Sequence, residues 1–339
     1  MADSKSAEND FENQYDSTWD DEDDGEQHDR TKLSKRQTHR TRRNLYAAKD
    51  MQNYRHMCRN IKYAERSEDY EGEVYNLKFY QNKIPSRPDG LFIWDFHKYW
   101  FRDYKKLEYT HSYIQWLFPI QEEGVNHCAH VLTLKEIKHF RENDQLKRRL
   151  LKSYRLMLDF YGIKLLDENT GEVGHAENWR ERFENLNSHT HNNLRITRIL
   201  KCLGILGFEH YQAPLVHFFL TETLVNRSLP RVKHSVLDYF MFSVLNKSER
   251  KRLIRFAFKK FEPKEEFVWC PKRIQIRFLK EIKTRKAETP ETRPSGSEPG
   301  VPRQTLKARK QKVKGEDQSL VFPSQHQRMK KNTSCCCIV

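Results

Sequence analysis

The chain has 339 residues, of which 32% are charged and 37% hydrophobic, and its formal net charge is +15. So small a hydrophobic share does not suit a chain folded from end to end, and it predicts an ordered middle with disordered, charged ends. It also argues against a membrane-spanning protein: the longest uncharged stretches, such as residues 210–221, are about a dozen long where a bilayer core needs roughly 20.

The charge is unevenly spread. Residues 1–29 hold 12 acidic residues and one lysine, a net of −11, which leaves +26 for the remainder. Residues 30–43 carry Arg30, Lys32, Lys35, Arg36, Arg40, Arg42 and Arg43 with no acid. Residues 1–40 therefore read as a disordered arm, acidic and then basic, whose halves either pair loosely or serve as interaction tails. No apolar run near the start has the form of a secretory signal. Cys58, Cys128, Cys202 and Cys270 are widely spaced, as expected of reduced thiols in the cytosol or nucleus.

A helical pattern opens near Arg42 and runs to about Arg66, and the ordered domain is expected over residues 41–283. Thr133-Leu134-Lys135-Glu136 fits a capping box, so a helix starts after Thr133. Leu146, Leu150, Tyr154, Met157 and Tyr161 mark the apolar face of another, which Gly162 ends. Residues 162–173 have the form of a short hairpin turning at Asn169-Thr170-Gly171. Ile196, Ile199, Leu200 and Leu203 share one helical face, with Arg195, Arg198 and Lys201 on a solvated opposite face, and Asn192 or Asn193 is the expected cap. Pro214 suits the first turn of a helix reaching about Asn226. Residues 236–245 are apolar nearly all round and predict a buried helix. Ser248 is the expected cap of a helix running through Phe261. The fold class is thus all-α: a single globular domain of roughly eight to ten helices between disordered tails. Residues 284–339 form the second tail, a Pro- and Gly-rich linker followed by a basic segment ending in a Cys cluster.

Reaction chemistry is missing. There is no Gly-x-Ser-x-Gly elbow, no Gly-x-x-x-x-Gly-Lys phosphate loop and no Gly-x-Gly-x-x-Gly, so neither an enzyme nor a cofactor is expected. His127-Cys128-Ala129-His130 offers three zinc-ligand types, but no second pair completes four, and a loop is the expected reading. His189-Thr190-His191-Asn192-Asn193 reads as a capping and packing segment. The patch Lys35, Arg36, Arg40, Arg42 and Arg43 suits nuclear import machinery or another acidic partner, and no module for specific nucleic-acid binding is present. The last four residues, Cys336-Cys337-Ile338-Val339, have the form of a prenylation box. With Cys335 as a palmitoylation position and Arg328, Lys330 and Lys331 nearby, Cys335 and Cys336 are candidate lipidation sites for an anionic membrane surface.

Six ordered strings identify a family. They are Asn76-Leu77-Lys78-Phe79-Tyr80, the aromatic run at residues 111–119, Leu156-Met157-Leu158-Asp159-Phe160-Tyr161-Gly162-Ile163, the segment from His191 to Lys201, Gln212-Ala213-Pro214-Leu215-Val216 and Leu237-Asp238-Tyr239-Phe240-Met241-Phe242. They resemble the conserved N-terminal domain of the opioid growth factor receptor family, over about Arg43 to Pro271. The basic, Cys-rich tail, in place of long proline-rich repeats, is more similar to the receptor-like branch. The resemblance implies a non-enzymatic receptor for an opioid peptide, methionine-enkephalin, that restrains cell growth and is associated with the cytoplasm, nucleus and nuclear envelope. Such a peptide presents a cationic amine and aromatic or apolar side chains. Trp94, Asp95 and Trp100, with Tyr104 and Trp116, supply the residue types of a pocket, Asp95 meeting the amine. The alternative reading puts these aromatics in the core and Asp95 on the solvent side of its helix. Two further classes stay open: a lipid-tethered scaffold at a cytoplasmic membrane face, and a nuclear factor binding acidic partners through its basic arms.

Overall fold

The computed structural model describes residues 16–19, 42–64 and 73–287. The chain divides into two units, 1–283 and 284–339. Of the second, only residues 284–287 are described, as the end of the last helix.

The regular elements of the described residues are thirteen helices, three single 3-10 turns and one hairpin, so the fold is all-α with a single two-stranded exception. The helices beyond the expected number are short ones, which span too few residues for a 3.6 period to register. α1 is Leu45–Ala64. Asn44 opens it by accepting the Ala47 N–H at 3.0 Å, and Ala47, Met51, Tyr54, Cys58 and Ile61 lay one stripe into the core. Four short helices follow: α2 (Tyr75–Tyr80), α3 (Ile93–Asp95, running on through the π turn Phe96–Trp100), α4 (Tyr104–Tyr109) and α5 (Tyr113–Leu117). The aromatic run at residues 111–119 is core: Tyr113, Trp116, Leu117 and Phe118 are buried, and the Trp116 indole donates to the Arg87 carbonyl at 3.0 Å.

α6 (Leu134–Glu142) begins with the expected capping box, Glu136 N donating to Thr133 Oγ1 at 3.2 Å and Thr133 N to Glu136 Oε2 at 2.9 Å. The fully buried Glu136 carboxylate also accepts from Asn76 N at 2.8 Å, Leu77 N at 3.2 Å and Asn76 Nδ2 at 2.9 Å. One anion therefore closes the first turns of α6 and α2 together. α7 (Asp144–Phe160) is capped by Asn143, whose Oδ1 accepts from Gln145 N and Leu146 N. Its buried stripe carries Leu146, Leu150, Tyr154 and Met157, and Gly162, at φ +76°, leads the chain out of the helix. The predicted hairpin follows, β1 (Ile163–Leu165) antiparallel to β2 (Val173–His175) with Ile163 opposite His175.

The remaining helices are α8 (Trp179–Ser188), α9 (Asn192–Ile205), α10 (Gln212–Leu220 and the π turn Thr221–Val225), α11 (Lys233–Ser235, the π turn Val236–Phe240 and Met241–Ser243), α12 (Lys247–Lys260) and α13 (Lys272–Ala287). As predicted, α10 carries Pro214 in its first turn and ends near Asn226, and α11 is largely buried from Val236 on, packed against α1 and α10, although it ends at Ser243 rather than running to 245.

Four expectations change. The basic face of α9 is not solvated: Arg195 and Lys201 are buried and Arg198 nearly so, while Leu194 is 64% exposed. These cations reach the ends of other elements. Arg195 donates to the carbonyls of Leu107 at 2.8 Å, Glu108 at 3.3 Å and Thr110 at 2.9 Å, the C-terminal end of α4. Arg198 Nε donates to Phe118 O at 2.8 Å, and Lys201 Nζ meets Asp50 at 2.9 Å and Glu122 at 2.7 Å. Asn192 does not cap α9: it lies inside the helix, and its amide donates to the buried Glu108 carboxylate. Asn193 likewise lies inside the helix. α12 is capped by Asn246, whose Oδ1 accepts from Glu249 N at 3.0 Å, rather than by Ser248. Finally, residues 16–19, from the stretch expected to be an arm, pack into the domain with Trp19 buried.

Candidate functional site

α3 and α7 each bring one stripe to a common groove of about 580 Å³. Trp94, His97, Lys98 and Phe101 fall at i, i+3, i+4 and i+7 along and just past α3. Arg148, Arg149, Lys152 and Arg155 fall at helical spacing on α7, with Gln145 before them and Leu156 after. The lining holds five cations and no acid. Trp94 is 56% and Phe101 45% exposed, unusually open for side chains of that size, and Lys152 Nζ lies 5.7 Å from the centroid of the Trp94 ring. The groove thus offers flat apolar walls beside fixed positive charge, and that combination selects an anionic group carried next to an aromatic or apolar body.

His97 and Ser153 meet below the groove, the ring Nε2 2.9 Å from Ser153 Oγ. They do not form a nucleophile. Ser153 is fully buried and its hydroxyl donates to the Arg149 carbonyl at 3.2 Å, so its oxygen accepts from His97. Burial, reinforced by Lys152 and Arg149, pushes the imidazole down to about 4, which holds it neutral. Burial also lowers the Arg149 guanidinium, which donates to the Tyr80 carbonyl.

The residues expected to form a peptide pocket do not converge. Trp94 lines the groove. Trp100 is buried edge-on against Phe96 and Tyr113, at 4.8 and 5.5 Å. Asp95 is half-buried, and its Oδ2 accepts from Phe92 N at 2.8 Å, closing the first turn of α3. Tyr104 bonds Asp159 at 2.8 Å, and Trp116 is core. In the basic patch, Arg42 is exposed but Arg43 is buried against Asp16 at 3.3 Å, so Arg43 does not belong to an open patch. Lys35, Arg36, Arg40, Cys335 and Cys336 lie outside the described residues. In the His-Cys-Ala-His loop, His130 stacks on Tyr75 at 3.7 Å, and no group able to hold a metal occurs among the described residues. Nor is any described helix long and apolar enough to cross a membrane.

The cations of α7 have a plain signal in the sequence that the apolar stripe obscured. Between Asp144 and Asp159 stand Lys147, Arg148, Arg149, Lys152 and Arg155 and not one acid. The exposure of Trp94 has no such signal, because it depends on which turn of α3 faces the core.

The fold and the groove define a class: an all-α domain with an open, aromatic-rimmed and cation-lined groove. Residues 69–275 match the opioid growth factor receptor (OGFr) conserved region. Over 236 residues the chain is 52% identical to the "Opioid growth factor receptor" of Mus musculus, covering 70% of this chain and 37% of that one. For the Homo sapiens protein of that name the identity is also 52% over 236 residues, covering 70% and 34%. With "Opioid growth factor receptor-like protein 1" of Mus musculus it is 47% over 235 residues, covering 69% and 50%. The chain therefore belongs to the opioid growth factor receptor family, and both the receptor and the receptor-like branch are among its relatives. That family is one of receptors rather than enzymes. The chain spans between about a third and a half of the length of these relatives. No solved structure matches it.

Proposed function

We propose that this protein is a non-enzymatic peptide receptor that regulates cell growth, and that it holds an opioid peptide in the Trp94 groove by the peptide's C-terminal carboxylate and an adjacent aromatic or apolar side chain. The observation that carries this reading is the aromatic-rimmed groove with five lining cations and no acid. Relatives named for an opioid growth factor support the ligand class. The polarity of the groove favours the carboxylate end over the amine, since no carboxylate lines the site and the neighbouring Asp95 is engaged in capping. A nuclear place of action belongs to the same reading and rests on Lys35, Arg36, Arg40 and Arg42.

Calorimetric titration of the full chain with methionine-enkephalin tests it. The free acid is expected to bind at least tenfold more tightly than its C-terminal amide. Lys152→Glu should abolish that preference, and Asp95→Asn should leave it unchanged. Equal affinity for acid and amide, or loss of binding only in Asp95→Asn, would overturn the carboxylate reading.

A further inference from the structure

Residues 16–19 pack in a cleft between α1, α12 and α13. Ser17–Trp19 form one 3-10 turn. Asp16 Oδ1 accepts from Thr18 N at 3.1 Å and from Thr18 Oγ1 at 2.6 Å, which folds the segment on itself. Three guanidinium groups then close on this carboxylate–hydroxyl pair. Arg43 Nη2 lies 3.3 Å from Asp16 Oδ2, Arg55 Nη2 lies 3.4 Å from Asp16 Oδ1, and Arg250 Nε donates to Thr18 Oγ1 at 2.8 Å. Ser17 N donates to Gln52 Oε1 at 3.2 Å and Arg273 Nη2 to the Trp19 carbonyl at 3.4 Å. The Trp19 ring stands edge-on to Phe278 at 5.9 Å, with Lys251 Nζ over it at 5.4 Å.

The acid, the hydroxyl, the backbone and the indole ring of the segment each meet a receptor, although the indole N–H has no partner among the described residues. The acid has arginines, the hydroxyl a guanidinium donor, the backbone a glutamine and an arginine, and the indole an apolar slot roofed by a cation. This is how a domain holds a short linear peptide. The cleft also holds its shape by other means. Arg55 Nη1 donates to Phe242 O at 2.7 Å, Arg250 Nη1 donates to the carbonyls of Val244 and Leu245, and the Arg43 guanidinium lies 4.8 Å from the Phe242 ring. Removing the segment would leave these arginines anchored and facing an open slot.

We propose that this cleft is a docking site for peptides of the pattern Asp-x-Thr-Trp, that residues 16–19 are its tethered occupant, and that a partner protein carrying an acid, a hydroxyl and a tryptophan at that spacing competes for it. Tethering gives the internal copy an effective concentration on the order of millimolar, so only a partner that binds well below that level displaces it.

Fluorescence anisotropy on the full chain tests this, with a labelled peptide of residues 10–24 as probe. The double variant Asp16→Ala/Trp19→Ala, whose own segment no longer fits, is expected to bind the probe at least tenfold more tightly than the unaltered chain. A scrambled peptide of identical composition and charge should bind neither. The variant should keep a cooperative thermal transition. Equal binding by both chains, no binding by a folded variant, or binding of the scrambled peptide would overturn the proposal. So would loss of cooperative unfolding in the variant, because the segment would then be part of the core rather than an occupant of it.

Discussion

Arg195 shows how much one side chain decides. Its guanidinium serves three carbonyls at the end of α4, together with Asn192 Oδ1 at 3.1 Å and His111 Nδ1 at 3.2 Å. A planar fork of five donors suits that set, and a lysine ammonium does not. Arg195→Met should destabilise the domain by about 3 kcal/mol, because buried carbonyls lose their donors, and Arg195→Lys should recover only part of it. Urea unfolding of the three proteins checks both statements. His97 gives a prediction about pH. Its imidazole is held at about 4 in the folded chain against an ordinary value of 6.5. Between those values the unfolded chain binds the extra proton, so the stability supplied by neutral His97 is present above pH 6.5 and lost as pH falls toward 4. Urea midpoints measured from pH 7.5 to 4.5 should fall less steeply in His97→Gln than in the unaltered chain.

At the scale of elements, the joints matter more than the lengths. Gly162 ends α7 at φ +76°, and a Cβ there would lie 2.7 Å from Trp179 Cα and 2.9 Å from Arg182 Cβ. Gly90 has φ +69° and nothing within 4 Å of a Cβ. Gly162→Ala therefore carries both the cost of a left-handed backbone and a collision with α8, whereas Gly90→Ala carries the first alone. The expected losses are about 3 kcal/mol or more and about 1 kcal/mol, read from denaturation midpoints. Equal losses would mean that α8 shifts freely and that the joint is not tightly packed. Local signals located the start of α6 and this joint well: the capping box at Thr133 and the glycine after the Leu146–Tyr161 stripe are written in nearby residues. The short helix α2 has no comparable signal, since its first turn is held by a distant partner, Glu136, which lies 60 residues from Asn76.

Across the whole molecule, the positive excess of +15 places the groove in a favourable field for anions. Affinity for a peptide carboxylate should fall about fivefold or more between 50 and 500 mM salt, while the peptide amide changes little, because screening acts on the charged contact. Calorimetry at the two salt concentrations reads this directly, and a salt-independent affinity for the acid would remove the electrostatic basis of the site.

The sequence by itself determined what depends on neighbours along the chain: the helical period, the cap of α6, the end of α7, the hairpin and, through six ordered strings, the family. Only the tertiary structure decided which polar faces turn inward. Periodicity reports that Arg195 and Lys201 are charged and opposite Ile196. It is silent on partners such as Asp50, 151 residues away, that make burying such a charge tolerable. The same holds for Trp94 against Trp100, one beside a cationic groove and the other in the core, and for Thr18, seated on Arg250 across 232 residues. Burial of a charged or aromatic side chain is settled by the group that meets it, and that group is chosen by the fold.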